Sequence, residues 1–377
     1  MTILKALRPM VRKEFRQIRR DPASLGMLLV LPAGMIILVG YALNFDVKRI
    51  PLVIWDQSRT QESREFAGHF RTTEYFSHLF NAASYDEIEE HFLNGRARIA
   101  LVIPENFGRS LLAGEETRVQ ILVDGSDANT GGQAVGYAGR MTADYSLRLI
   151  GEAFQRVGRN QYVPLDLQPR IWYNPDLVSS KFLVPGLIGL IISLTAVIST
   201  ALTVVREKEL GTMEQIMVSP LRPIQVIAGK TLPYLAISLV ATTAILVLGY
   251  LLFDIEIKGS LLVLYSGIVM VILGGLGQGL LVSTVTDSQQ VAFMAAALSS
   301  LLPGFILSGF VFPISSMPVV LQVLSNVTVN KFFLVVVRGI MLKGVGIEAI
   351  WPQFVYMAIF SGVTLGISVR RMQKQVR

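Results

Sequence analysis

Six stretches of this chain are apolar over bilayer-length distances: residues 24–45, 181–204, 226–252, 260–285, 289–311 and 349–369. A helix needs about 20 apolar residues to cross the hydrocarbon core, and in lipid each backbone polar group must be satisfied within the segment. This pattern predicts an α-helical polytopic membrane protein with six transmembrane helices. Composition agrees, since 52% of the 377 residues are hydrophobic and 16% are charged, against about 25% charged in a soluble domain. The net charge of +7 would also suit nucleic acid. The basic residues, however, gather beside the apolar runs as anchors on an anionic cytoplasmic leaflet do. Membrane lipids are therefore expected as partners, and no nucleic acid. With no cysteine in the chain, disulfides, zinc–thiolate sites and a Cys nucleophile are excluded.

Between the first and second runs the character changes. Over residues 46–180 charge is frequent and the patterns shorten. Residues 51–56, 98–104 and 119–124 read as buried strands ending in turn residues. Ser84 and Glu87 form a capping box ahead of Ile88 and Phe92, and an amphipathic helix is expected from about 129 to 158. The segment is long enough to bury its own core, which predicts an inserted α/β domain. Residues 312–348 are apolar but interrupted by Pro313, Pro318, Asn326, Asn330 and Lys331. They suit a re-entrant pair of short helices.

Lys and Arg in the short loops set the orientation. Residues 1–23 carry seven, Arg206, Lys208, Arg222 and Lys230 flank the loop at 205–225, and the tail at 370–377 carries four. Positive charge on the inner side then places both termini and the 205–225 region in the cytoplasm and the 46–180 domain outside it. The leader at 1–23 places Leu7, Val11, Phe15 and Ile18 on one helical stripe among basic residues, which reads as an amphipathic helix along the membrane surface. A cleavable signal is not expected, since a basic helical stretch precedes the first run and no small-residue cleavage site follows.

Little in the chain points to chemistry. No Asp, Glu, Lys or Arg falls in the middle of a span, which argues against an ion relay. No phosphate loop is present, so no ATP site is expected. Gly274, Gly275, Gly277 and Gly279 resemble a dinucleotide motif, but no strand precedes them. The four-residue spacing of Gly275 and Gly279 reads instead as close helix packing. His69, His78 and His91 belong to no recognisable catalytic or metal motif, and no metal site is expected.

The densest polar signal is REKELGTMEQIMVSP at 206–220. Gly211 and Thr212 allow a helix break and a new N-cap, and Met213, Ile216 and Met217 then lie on one side of a short turn suited to docking in a groove. Together with Gly229, Lys230, Pro233 and Tyr234, this stretch closely resembles the cytoplasmic signature of type-2 ABC exporter permeases. LSGFVFPISSMP at 307–318 followed by RGI at 338–340, and KEFRQIRRDP at 13–22, are similar to other parts of the same family. The resemblance runs along the whole chain and is nearest the drug-exporter branch with a large external domain. It departs from the family at 326–333, where NVTVNKFF replaces an Asn-Pro-Leu-Thr-like stretch.

The resemblance implies a permease subunit of an ATP-driven exporter in the bacterial inner membrane, moving a hydrophobic or amphiphilic drug or lipid-like substrate. ATP and Mg would bind a separate cytoplasmic subunit, with no cofactor in this chain. A second permease chain, identical or paralogous, would complete the pathway, and a periplasmic adaptor is a further partner it allows. Coupling to the ATPase would fall to Arg206, Glu207, Glu209, Gly211, Thr212, Met213, Glu214, Met217, Ser219 and Pro220. An elbow helix would use Lys13, Glu14, Phe15, Arg19, Asp21 and Pro22. An external gate would use Gly309, Phe310, Phe312, Pro313, Met317, Pro318, Arg338 and Gly339. The alternative is a membrane-anchored receptor or assembly scaffold acting through its external domain. A membrane enzyme ranks third, for want of a polar reactive cluster.

Overall fold

The computed structural model describes residues 3–42, 49–156, 172–174, 178–212 and 223–375. The chain divides into two compact units, Phe45–Arg170 and the remainder.

The smaller unit is built on a four-stranded sheet. Its strands are β1 (Ile50–Asp56), β2 (Phe76–Asn81), β3 (Ile99–Ile103) and β4 (Gln120–Val123), in the order β2-β1-β3-β4. β1 runs parallel to β2 and β3, and β4 is antiparallel to β3. Alternate side chains face opposite sides of a sheet, and both sides of this one are covered. Ile50, Leu52, Ile54, Ile99, Leu101 and Ile103 pack with Phe66, Phe70 and Tyr145. Val53, Ala100 and Val102 pack on the other side with Ile88 and Ala97. That double burial explains the near-continuous apolar strands. β2 was not expected: FSHLFN is short and carries a histidine and an asparagine, so its apolar pattern is weak.

The helical unit opens with α1 (Ile3–Arg20). Helix then runs through α2 (Pro22–Leu25), a π turn at Gly26–Val30 and α3 (Leu31–Ala42). In the smaller unit, α4 (Gln61–Arg71), α5 (Tyr85–Leu93), α6 (Phe107–Leu112) and α7 (Ala128–Arg156) alternate with and follow the strands. The helical unit continues with α8 (Ser179–Glu209), α9 (Pro223–Phe253), α10 (Leu261–Val285) and α11 (Gln289–Ile306). Short α12 (Val319–Leu324) and α13 (Val329–Arg338) precede α14 (Ile347–Gln375). Among the described residues five helices are long and apolar enough to cross a membrane, or six if the pair at Val319–Val327 and Val329–Lys343, bent by 87°, is one span. The first apolar run does not qualify by length, since its helix is apolar over Gly26–Ala42 and residues 43–45 lie outside those described.

α8 is the axis of the unit, buried on almost every side from Leu183 to Val205. Small residues let α10 approach it. A Cβ on Gly275 would stand 2.9 Å from Ala196 Cβ, and one on Gly279 would stand 2.4 Å from the Val197 carbonyl oxygen. The two helices therefore meet backbone to backbone at these glycines.

Candidate functional site

The last turn of α8 places four consecutive charged residues around the helix, about 100° apart. Each grips a different element. Arg206 donates to the Asp21 carboxylate at the junction of α1 and α2. Glu207 accepts from Lys13 of α1 at 2.6 Å and from Lys230 of α9. Lys208 donates to the carbonyl oxygens of Ser283 at 2.5 Å and Thr286 at 3.1 Å, at the C-terminus of α10. Glu209 accepts from the Gln289 backbone amide at 2.7 Å, at the start of α11. A cation on a helix C-terminus and an anion on a helix N-terminus are both favoured by the helix dipole. Gly211 then closes the helix with φ +68 and donates to the Lys208 carbonyl, a left-handed cap that glycine adopts without strain.

The centre of this hub is dry. Glu14, Glu207 and Lys230 are at most 2% exposed. Glu14 Oε1 lies 3.2 Å from Lys13 Nζ and 4.0 Å from Lys230 Nζ, while its other oxygen has no partner among the described residues. A charge taken out of water is costly unless paired, so the four groups stand or fall together. Burial disfavours the Lys13 ammonium, but the hydrogen bond to Glu207 and the charges of Glu14 and Glu207 outweigh it and raise its pKa.

Two residues of the hub are more buried than their neighbours in sequence suggest. The buried stripe of α1 is Met10, Glu14 and Ile18, and Phe15 is 41% exposed. Phe15 and the half-buried Val11 of the expected membrane-surface stripe thus keep an open side, while Glu14 turns inward to its ion pairs. Lys230, expected among the basic residues flanking the 205–225 loop, lies seven residues into α9 and is fully buried. Glu207 accordingly points into the hub.

Thr212 donates to the Glu207 carbonyl at 3.3 Å. Met213, Glu214, Met217, Ser219 and Pro220 lie outside the described residues. Pro22 opens α2, and Arg19 is exposed in the last turn of α1. A cavity of about 250 Å³ adjoins the hub, lined among others by Ile18, Leu28, Thr203, Arg206 and Tyr234.

At the other end of the helical unit, Arg338 of α13 binds three backbone carbonyls. It donates to Phe182 at 3.2 Å, Gly309 at 3.2 Å and Phe310 at 3.1 Å. Its guanidinium also lies 3.7 Å from the Phe182 ring centroid, a cation–π contact. Gly309 turns the chain with φ +83. Phe310 is buried beside Gly186, where a Cβ would stand 2.6 Å from its ring. Phe312, Pro313 and Pro318 are exposed, Met317 is half-buried, and Gly339 is buried in a π turn at Gly339–Lys343. The structure therefore brings Gly309, Phe310 and Arg338 together. In the smaller unit His69 meets the Tyr145 ring, His78 bonds Asn81 and His91 stacks on Phe80. Among the described residues no group of three His, Cys, Asp or Glu could hold a metal.

Comparison with known proteins agrees with this architecture. The family model described as ABC-2 family transporter protein matches residues 22–370. The chain is 28% identical to the probable multidrug ABC transporter permease YbhR of Escherichia coli K12, over 97% of this chain and 98% of that protein. It is 28% identical to the probable multidrug ABC transporter permease YbhS of the same strain, over 90% and 89%. It is 26% identical to the inner membrane transport permease YhhJ, again of that strain, over 97% and 96%. A bundle of membrane-length helices, gathered at one end by a ring of charge and matched along nearly its whole length by these transporters, belongs to the ABC-2 family of transporter proteins.

Proposed function

We propose that the chain is the permease subunit of an ATP-driven exporter of hydrophobic or amphiphilic molecules, working with a separate cytoplasmic ATP-binding subunit and a second permease chain. The observation that carries this reading is the hub at the end of α8. Arg206, Glu207, Lys208 and Glu209 tie that helix to the α1–α2 junction, α1, α9, α10 and α11. In sequence, residues 210–222 join α8 to α9. A push on that segment reaches five other places through short, charge-assisted bonds, which are stronger than neutral ones. α1 then moves with α8 and α9 as one body. At the far end, Arg338 ties α13 to α8 and to the turn after α11, so displacement of α8 also reaches the broken hairpin.

In this reading both termini and the 210–222 segment face the cytoplasm of a bacterial inner membrane, and the α/β unit lies outside. The multidrug and permease names of the relatives support the cargo class. The test is reconstitution in vesicles with and without the ATP-binding subunit, loaded with the uncharged fluorescent lipophilic dye Nile red. ATP-dependent dye movement only with both chains supports the proposal. Equal movement without the second subunit, or none with it, overturns it.

A further inference from the structure

A second cavity, about 460 Å³, lies at the Arg338 end of the helical unit. One face of α13 lines it with Lys331, Leu334, Val335 and Arg338, the i, i+3, i+4, i+7 spacing of neighbours on a helix. Gln353 and Tyr356 of α14 add to the opposite wall.

The charge there is one-sided. From Ser288 to Ile347 the chain contains no Asp or Glu. Lys331 donates to Ser325 Oγ and Asn326 Oδ1, both at 2.8 Å. Arg338 donates to three backbone carbonyls. Every one of these partners is neutral, and among the described residues neither cation has a carboxylate within ion-pair distance. An ammonium has three donors and a guanidinium five, so one donor of Lys331 and two of Arg338 remain. The cations are seven residues apart, roughly 10 Å along the helix, with Leu334 and Val335 between them. Ionisable groups at membrane depth are costly and persist where they pair with something.

We propose that this cavity binds the anionic headgroup, a phosphate or carboxylate, of an amphiphile. Lys331 is the headgroup contact, and the Leu334–Val335 surface receives the first part of the hydrocarbon. Arg338, with its spare donors at the far end, excludes amphiphiles whose headgroup is cationic. A free anion would lack the apolar contact, so binding requires the chain as well as the charge.

The test uses the full chain purified in dodecyl maltoside and titrated calorimetrically with dodecyl phosphate, dodecyltrimethylammonium and inorganic phosphate. Saturable binding of dodecyl phosphate alone is expected, weakened at least tenfold by Lys331→Gln and less than threefold by Lys331→Arg. Because Lys331→Gln also disturbs the contacts to Ser325 and Asn326, Val335→Trp provides an independent variant. It fills the cavity, leaves the lysine in place and is expected to abolish binding. Lys343→Gln, outside the cavity, is expected to bind as the parent does. Equal binding of the cationic amphiphile, equal binding of inorganic phosphate, or unchanged affinity in Lys331→Gln and Val335→Trp overturns the proposal. No ATP or second subunit is present in this experiment, so its failure leaves the transport reading standing, and the converse also holds.

Discussion

Lys13 and Glu207 are 194 positions apart, yet the lysine ammonium donates to the carboxylate across 2.6 Å. With Lys230 on the other oxygen, this single carboxylate joins three helices. Breaking a buried ion pair by removing one partner costs about 3–5 kcal/mol, because the other charge is left stranded.

Lys230→Met is therefore expected to destabilise the helical unit by about 3–5 kcal/mol. Glu207→Lys should do more harm, since it sets three cations around Glu14. Combining Glu207→Gln with Lys230→Met should recover much of the loss, as neutral replacements of whole pairs often do. Thermal unfolding in detergent checks all three. Additive single and double effects would show that the pair is not the source.

At Gly279 a Cβ would meet the backbone oxygen of Val197, whereas at Gly366 nothing lies within 4 Å. Gly279→Ala should force α10 away from α8 and cost about 1–3 kcal/mol. Gly366→Ala should leave the melting temperature unchanged or slightly raised, because alanine is the better helix former by about 1 kcal/mol. The same melts provide the measurement.

Arg338→Lys keeps the charge but cannot reach three carbonyls with one ammonium. The turn around Gly309 and Phe310 should loosen first. Hydrogen exchange is expected to quicken by about tenfold across residues 308–312, with little change around Gly275. Unchanged exchange would show that the hairpin is held by apolar packing alone.

In the smaller unit Asp124 has a pKa below the usual carboxylate range, because the Ser126 hydroxyl and amide and then Arg98 favour its ionised form. Asp127 is lowered in the same way by the Thr130 hydroxyl and amide. A lowered folded pKa contributes stability above the unfolded value of about 3.9, and that stability is lost as pH falls through the folded pKa. The unit should thus weaken between about pH 4 and its folded values, and Asp124→Asn should flatten that limb. Hydrogen exchange across residues 99–123, followed from pH 5 to pH 2, reads the effect.

Orientation can be read directly because the chain has no cysteine, so any introduced thiol is unique. Leu93, 81% exposed, and Leu210, 64% exposed, are suitable places. Under the proposed topology an impermeant maleimide labels Leu93→Cys in intact cells and Leu210→Cys only after permeabilisation. The reverse pattern would invert the topology.

The long spans were legible because lipid demands length and apolarity, and both are local properties of the chain. What escaped was pairwise. Nothing in the local pattern announces that Glu14 faces inward; besides the adjacent Lys13 it meets Lys230, some two hundred positions away, and Lys13 in turn meets the equally distant Glu207. β2 escaped because its place is supplied by the neighbouring β1 more than by its own residues. The charged run at 206–209 was visible as a cluster, but its division among five separate places needed the helix geometry of α8.

Among the described residues, each apolar cluster is built from residues of a single unit. Inheritance can therefore act on the two separately. A substitution that changes volume in β1 or β3 is answered within the sheet's own two clusters. Lineages are free to rewrite the inserted unit for new neighbours while the helix bundle keeps its fit.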